Sequence, residues 1–334
     1  MQQVTVLGGG GWGTALAVHL ARLGKDVTLW ARSEALVAEL TATRVNSTYL
    51  AGVELPASIG LTADLELALR GAACVVSAVP SHGTRDVIRR ASPLLAREAV
   101  VVSATKGLEV ETLLRMSEVI GQELGAGQPI AVLSGPSFSL ELAREAPTAV
   151  AVAGRRAETV AAVQREFRAR YFRLYATEDI VGVEIGGALK NVIAIAAGAA
   201  ESLGLGDNAR SALITRGLAE ISRLAAAVGG RRETLAGLSG LGDLVLTCTG
   251  RLSRNRSVGI ELGRGRRLPE ILAEMKTVAE GIRTTGAALA LGGRHGVELP
   301  IASQMADVLA GRKAPRAAVE ELMLRRQRSE AEAG

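Results

Sequence analysis

Val4-Thr5-Val6-Leu7-Gly8-Gly9-Gly10-Gly11-Trp12-Gly13-Thr14 decides the fold. The first four residues are apolar or β-branched and read as a buried strand, while the amphipathic stretch from Thr14 to Gly24 reads as a helix. Between them Gly8, Gly10 and Gly13 stand at G-x-G-x-x-G spacing. The first glycine permits the tight turn, the second lets backbone approach a pyrophosphate, and the third lets the helix pack on the sheet. A helix N-terminus then points N–H groups and a positive dipole end at the phosphates. Asp26-Val27-Thr28-Leu29-Trp30 supplies the next strand. Strand, loop, helix and strand in this order predict a dinucleotide-binding βαβ unit, against the alternative of a merely structural glycine turn.

Working outward, short β-branched runs alternate with Ala/Leu/Arg-rich stretches as far as about residue 180, the pattern of parallel strands joined by crossover helices. Strands are expected at Val4 to Gly8, Asp26 to Trp30, Ala73 to Ala78, Ala99 to Ala104, Ile130 to Ser134, Thr148 to Val152 and Phe172 to Ala176. The turns Val79-Pro80-Ser81, Thr105-Lys106-Gly107 and Ser134-Gly135-Pro136 follow strand ends, where ligands sit in open parallel sheets. Beyond Ile180 helical segments follow one another without strands: 180–201, 208–228, 254–263, 268–291, 301–311 and 315–328. The expected fold is α/β, with a Rossmann-like domain over 1–180 followed by an all-α substrate domain over 181–334.

Composition narrows the function. Only 2% of the 334 residues are aromatic, so stacking platforms for bases are scarce, and the net charge of +5 is spread along the chain. Small anionic ligands suit that charge, and neither nucleic acid nor membrane is an expected partner. The charge-free run Asn191 to Ala200 is short of the ~20 residues that span a bilayer. Met1-Gln2-Gln3 leads directly into the first strand, which predicts no leader. Cys74 and Cys248 lie in apolar runs without metal-ligand spacing, so they read as buried thiols; no metal is expected and the location is expected to be cytoplasmic.

Where a ribose-binding acid would follow the second strand, this chain has Ala31-Arg32-Ser33. Arg32 can meet a 2′-phosphate, with Ser33 adding a donor, which points to NADP or to dual use; otherwise Arg32 is a solvated strand-end residue. Lysines are fewer than arginines, and two have unusual settings: Lys106 at a strand end and Lys190 in Gly186-Gly187-Ala188-Leu189-Lys190-Asn191. A lysine ahead of an apolar helix is commonly a snorkelling surface residue. Gly240-Leu241-Gly242-Asp243-Leu244 places one carboxylate among apolar residues and glycines, ahead of Thr247-Cys248-Thr249 and Ser253-Arg254-Asn255-Arg256. At a helix start such consecutive polar residues can converge with backbone N–H groups on one anion.

Together with Ala104 to Gly107, Ser134-Gly135-Pro136-Ser137-Phe138, Ala209 to Glu220 and Val278-Ala279-Glu280-Gly281, these segments run in order along nearly the whole chain. In them the sequence resembles the NAD(P)-dependent glycerol-3-phosphate dehydrogenases of the bacterial soluble type. The resemblance implies reversible reduction of dihydroxyacetone phosphate to sn-glycerol 3-phosphate with NADPH or NADH, supplying phospholipid synthesis, and a homodimer is expected. It implies that Lys190 is the catalytic proton-transfer residue and also meets substrate. Lys106, Gly135, Ser137, Asp243, Ser253, Arg254 and Asn255 match the other substrate positions. Gly8, Gly10, Gly11, Trp12, Gly13, Arg32, Ser33, Lys106, Ser139, Arg254, Val278 and Glu280 are the expected cofactor contacts. Gly9-Gly10-Gly11 stands where the family more often has small side chains, and Ser139 where alanine is commoner. The chemistry needs these residue types: hydride delivery to a ketone builds negative charge on oxygen, which a lysine can stabilise and then neutralise.

His19 falls mid-helix and His295 in a loop; only His82, just after Val79-Pro80-Ser81, could approach the cofactor. Two other readings share the glycine loop: another two-domain hydroxyacid or sugar-acid dehydrogenase, and a non-catalytic dinucleotide sensor. The second would leave Lys190 and Asp243 without a task.

Overall fold

The computed structural model describes residues 1–125, 127–275 and 279–326, and the chain divides into two compact units. The first comprises Met1–Lys106 and Arg115–Ile180. Its strands are β1 (Gln3–Leu7), β2 (Asp26–Trp30), β3 (Gly60–Thr62), β4 (Cys74–Ser77), β5 (Val100–Ser103), β6 (Ile130–Ser134), β7 (Thr148–Gly154) and β8 (Phe172–Thr177). Helices α1 (Gly11–Arg22), α2 (Glu34–Thr43), α3 (Leu65–Leu69), α4 (Ser81–Ala91), α5 (Met116–Leu124), α6 (Ser139–Ala143) and α7 (Ala157–Phe167) connect them. The eight strands form one sheet in the order β3-β2-β1-β4-β5-β6-β7-β8. Leu7 is in register with Trp30 on one side and Ser77 on the other, so the order reverses at β1 and the glycine loop leaves the sheet at its switch point. Val4 and Val6 join the core beneath α1, while Leu7, Val75 and Val101 join a second core on the other face.

The expectation of an all-parallel sheet is corrected at one place: β7 runs antiparallel to β6. The connection between them carries only the five-residue α6, about 8 Å of helix, too little to return the chain for a parallel strand. The eleven-residue α7 does return it, and β8 is parallel to β7. Three-residue β3 is too short to show a period, and the sequence does not predict it. His19 is a structural residue: it is buried, its Nε2 lies 2.7 Å from Phe167 O and its Nδ1 3.0 Å from Tyr171 Oη, and burial pulls its pKa down to about 4.

The second unit comprises Gly107–Leu114 and Val181–Gly334. Its helices are α8 (Ile180–Ser202), α9 (Gly206–Ala227), α10 (Arg232–Leu235), α11 (Asp243–Thr249), α12 (Arg254–Gly263), α13 (Leu268–Glu274), α14 (Glu280–Arg294), α15 (Pro300–Leu309) and α16 (Pro315–Met323). The expected division at 180 misses the excursion 107–114, which belongs here because Leu108 and Leu113 are buried in the helical core. The expected helix over 268–291 is two helices. Met275 and Ala279 are extended, and the Gly281 N–H near the start of α14 donates to Asn255 rather than to a helical carbonyl. Helix α8 is predominantly apolar and long enough at 23 residues to cross a membrane, but 94% of its most apolar stretch is buried in protein. Its apolarity is that of a central core helix.

Candidate active site

Backbone geometry gives each glycine of the loop a different task. Gly8 has φ +119°, and a Cβ there would stand 2.8 Å from the Ala78 carbonyl oxygen; one on Gly13 would overlap the Gly8 carbonyl. Gly10 has open space before it, and as the N-cap of α1 it supplies no side-chain cap. The indole N–H of Trp12 is buried without a partner among the described residues. An open cradle at an uncapped helix N-terminus, with a buried donor beside it, fits the phosphates of a dinucleotide. Gly11 lies between two neighbours, since a Cβ on it would meet the Tyr49 carbonyl oxygen at 2.6 Å and Ser139 Oγ at 3.5 Å. Sequence reading missed Asn46, which is fully buried. Its Nδ2 donates to the Gly9 carbonyl at 2.9 Å and to Thr14 Oγ1 at 2.8 Å, and its Oδ1 accepts the Tyr49 N–H at 3.1 Å. Arg32 is exposed just after β2, while Ser33 caps α2, accepting the Leu36 N–H at 3.2 Å.

At the ends of β5 and β6 the structure brings three expected residues together. Lys106 Nζ donates to the Gly135 carbonyl at 2.8 Å and to Ser137 Oγ at 3.2 Å, and Ser137 Oγ itself donates to that carbonyl at 2.8 Å. Gly135 has φ +145°, and a Cβ would strike Val150 Cα at 2.9 Å, so only glycine turns the chain here.

In the second unit Lys190 lies on α8, with 7% of its side chain exposed, and pairs with Asp243, whose side chain is 1% exposed. Lys190 Nζ also donates to Thr247 Oγ1 at 2.8 Å, and the Thr247 hydroxyl in turn donates a hydrogen bond to the Asp243 backbone carbonyl oxygen at 2.6 Å. The snorkelling alternative is therefore excluded. Thr247 lies four residues after Asp243 and shares its helix face, though nothing in its own stretch of sequence marks it as a partner of the lysine. Among the described residues no group of His, Cys, Asp and Glu side chains could hold a metal. Both thiols are buried, which pushes Cys74 and Cys248 up to about 12 and leaves them inert.

Ser253, Arg254 and Asn255 open α12 as expected, but two of the three side chains are engaged by the protein. Ser253 Oγ caps the helix by accepting the Arg256 N–H at 3.2 Å. Asn255 Nδ2 donates to Asn191 Oδ1 at 2.9 Å, and its Oδ1 accepts the Gly281 N–H at 3.0 Å. Arg254 is exposed at the start of α12, and the Glu280 carboxylate at the start of α14 lies near enough to act on its charge. Val278 lies outside the described residues. His82 and His295 are exposed.

Comparison with known proteins accords with this architecture. Residues 3–160 match the NAD-dependent glycerol-3-phosphate dehydrogenase N-terminal family and residues 179–320 the corresponding C-terminal family. Glycerol-3-phosphate dehydrogenase [NAD(P)+] of Geobacter sp. (strain M21) is 52% identical over 331 residues, covering 98% of this chain and 99% of that protein. The enzyme of that name from Geobacter metallireducens is 52% identical over 332 residues, with 98% and 99% covered. The crystal structure of glycerol-3-phosphate dehydrogenase from Coxiella burnetii superposes with a TM-score of 0.93 at 40% identity, covering 97% of this chain and 99% of that one. With both halves of the chain matched and full-length relatives at this identity, the chain belongs to the NAD-dependent glycerol-3-phosphate dehydrogenase family.

Proposed function

We propose that this chain reduces dihydroxyacetone phosphate to sn-glycerol 3-phosphate, reversibly, with NADH or NADPH. The observation that carries the reading is a lysine in the helical core, held by one carboxylate and one hydroxyl. Burying a lysine costs free energy that pairing only offsets, and an acid for a forming alkoxide is a task that accounts for keeping one there. When bound, the dinucleotide supplies the hydride. Gly8, Gly10, Gly11, Trp12 and Gly13 would hold its phosphates, Arg32 and Ser33 its adenosine end, and Ser139, Val278 and Glu280 would complete the contacts. Lys190 donates a proton to the alkoxide during reduction and accepts it during oxidation. Asp243 and Thr247 keep the ammonium aimed, and the carboxylate balances its charge. Lys106, positioned by Gly135 and Ser137, adds a second cation for the substrate. Arg254, on the helix start that Ser253 caps and Asn255 anchors, would take the phosphate, whose binding energy orients the carbonyl.

We further place the activity in the cytoplasm, feeding glycerophospholipid synthesis, and assign a homodimer. Two buried, unpaired thiols suit a reducing compartment. The test is oxidation of NADH and of NADPH, followed by absorbance, with dihydroxyacetone phosphate and with a panel of 2-keto acids. Turnover of the keto acids alone would replace this reading with a hydroxyacid dehydrogenase. Sedimentation equilibrium checks the dimer.

A further inference from the structure

Helix α8 and the chain leading into α11 meet twice at one spacing. At Lys190 the ammonium holds Asp243. One turn earlier, at Gly186, α8 has no side chain, and a Cβ there would stand 2.5 Å from the Ser239 carbonyl oxygen and 3.0 Å from Leu235 Cδ1. Gly186 and Lys190 are four residues apart on one helix face, and Ser239 and Asp243 are four apart on the segment that meets it. Between them Leu238–Gly242 forms a π-helical turn, with the Gly242 N–H donating to the Gly237 carbonyl at 3.1 Å. A π turn carries one residue more than an α turn, and one residue is about 100° of helix rotation. The seating of this turn therefore sets the direction from which Asp243 approaches α8.

We propose that Gly186 is a positioning residue for the proton-transfer pair: its bare backbone seats the Ser239 carbonyl, and the π turn so placed delivers the Asp243 carboxylate to the Lys190 ammonium. The inference rests on the proton-transfer role given to Lys190 above. An added methyl at Gly186 meets backbone rather than a flexible side-chain end, so the turn has to move, and Asp243 moves with it.

The test uses the full-length enzyme with dihydroxyacetone phosphate and NADPH. Wild-type turnover is measured first; an inactive wild type removes the functional reading, whereas an active one makes the variants informative. Gly186→Ala should lower kcat about 10- to 100-fold, the scale of an ångström of misplacement, and leave the NADPH dissociation constant unchanged. The alkaline limb of its kcat–pH profile should move to lower pH, because an ammonium parted from its carboxylate gives up its proton more readily. Asp243→Glu, harmful alone, should restore part of the Gly186→Ala turnover by reaching across the displaced turn. Gly286→Ala, at an exposed position on α14 with open space around it, is the control. Deleting exposed Leu241 removes the π register without adding an atom against α8, and should give the same loss even where Gly186→Ala does not fold. Wild-type turnover and pH profile in either variant would overturn the proposal. So would a loss of turnover that only tracks the loss of folded protein, or one without a pH shift and without rescue by Asp243→Glu.

Discussion

Asn255 Nδ2 donates to Asn191 Oδ1 while Asn255 Oδ1 accepts the Gly281 N–H, so the neighbour of Lys190 and the neighbour of Arg254 form one bridge across α8, α12 and α14. All of it is buried. Asn255→Ala leaves an acceptor on Asn191 and a backbone donor on Gly281 without partners, which costs about 1–3 kcal/mol for a buried group left unsatisfied. The expected outcome is a lower melting temperature together with a raised KM for dihydroxyacetone phosphate, since Arg254 loses its adjacent anchor. A KM that stays at the wild-type value would show that the bridge is purely structural.

Arg32 stands exposed at the end of β2, where an NAD-binding fold commonly carries an acid for the ribose hydroxyls. Arg32→Asp should weaken NADPH binding by about 1–3 kcal/mol, the worth of a charge-assisted contact, and spare or improve NADH binding. Dissociation constants for both cofactors, by fluorescence titration at fixed salt, check this. Equal losses would return Arg32 to the solvent.

Much of this could be read from local sequence. The strand at Gln3–Leu7, the glycine loop and α1 follow from adjacent residues, because turn, dipole and packing all act within one βαβ unit. The reversal at β7 could not be read so, because it depends on how far the five residues of α6 carry the chain, and strand composition does not record direction. The Lys190–Asp243 pair joins residues 53 apart, and nothing in either segment names the other; only the family resemblance put both in one site. Thr247 and Asn46 stayed without roles for the same reason. A threonine in a helix or an asparagine after a helix end is ordinary until its partner is seen.

Glu220 on α9 carries a pH dependence. It is buried, accepts the Ile301 N–H at 2.7 Å at the start of α15, and is pushed up to about 7 by burial. A carboxyl raised from about 4.5 binds its proton more tightly folded than unfolded, so its contribution is fully present below about pH 4.5 and is lost as pH rises through about 7. Glu220→Gln cannot titrate. Between pH 5 and 8 the wild-type melting temperature should therefore fall relative to that of Glu220→Gln. Parallel melting curves across that range would mean that Glu220 titrates alike in both states.

Lys190→Met tests the centre of the proposed chemistry. The thioether keeps much of the length and apolar stem but removes the ammonium, so turnover should fall by at least the roughly 10²–10⁴-fold that positioned acid–base groups contribute. It also strands Asp243, whose side chain is 1% exposed, and breaking a buried pair from one side costs about 3–5 kcal/mol. Loss of activity alone would therefore be ambiguous. Lys190→Met combined with Asp243→Asn removes the stranded charge and should recover much of the melting temperature, and both variants should keep the wild-type dissociation constant for NADPH. If the double variant is stable, binds cofactor and stays inactive, the missing function is proton transfer rather than folding. If either variant still reduces dihydroxyacetone phosphate within a few-fold of wild type, the proton has another source, and Lys106, held by Gly135 and Ser137, becomes the residue to replace next.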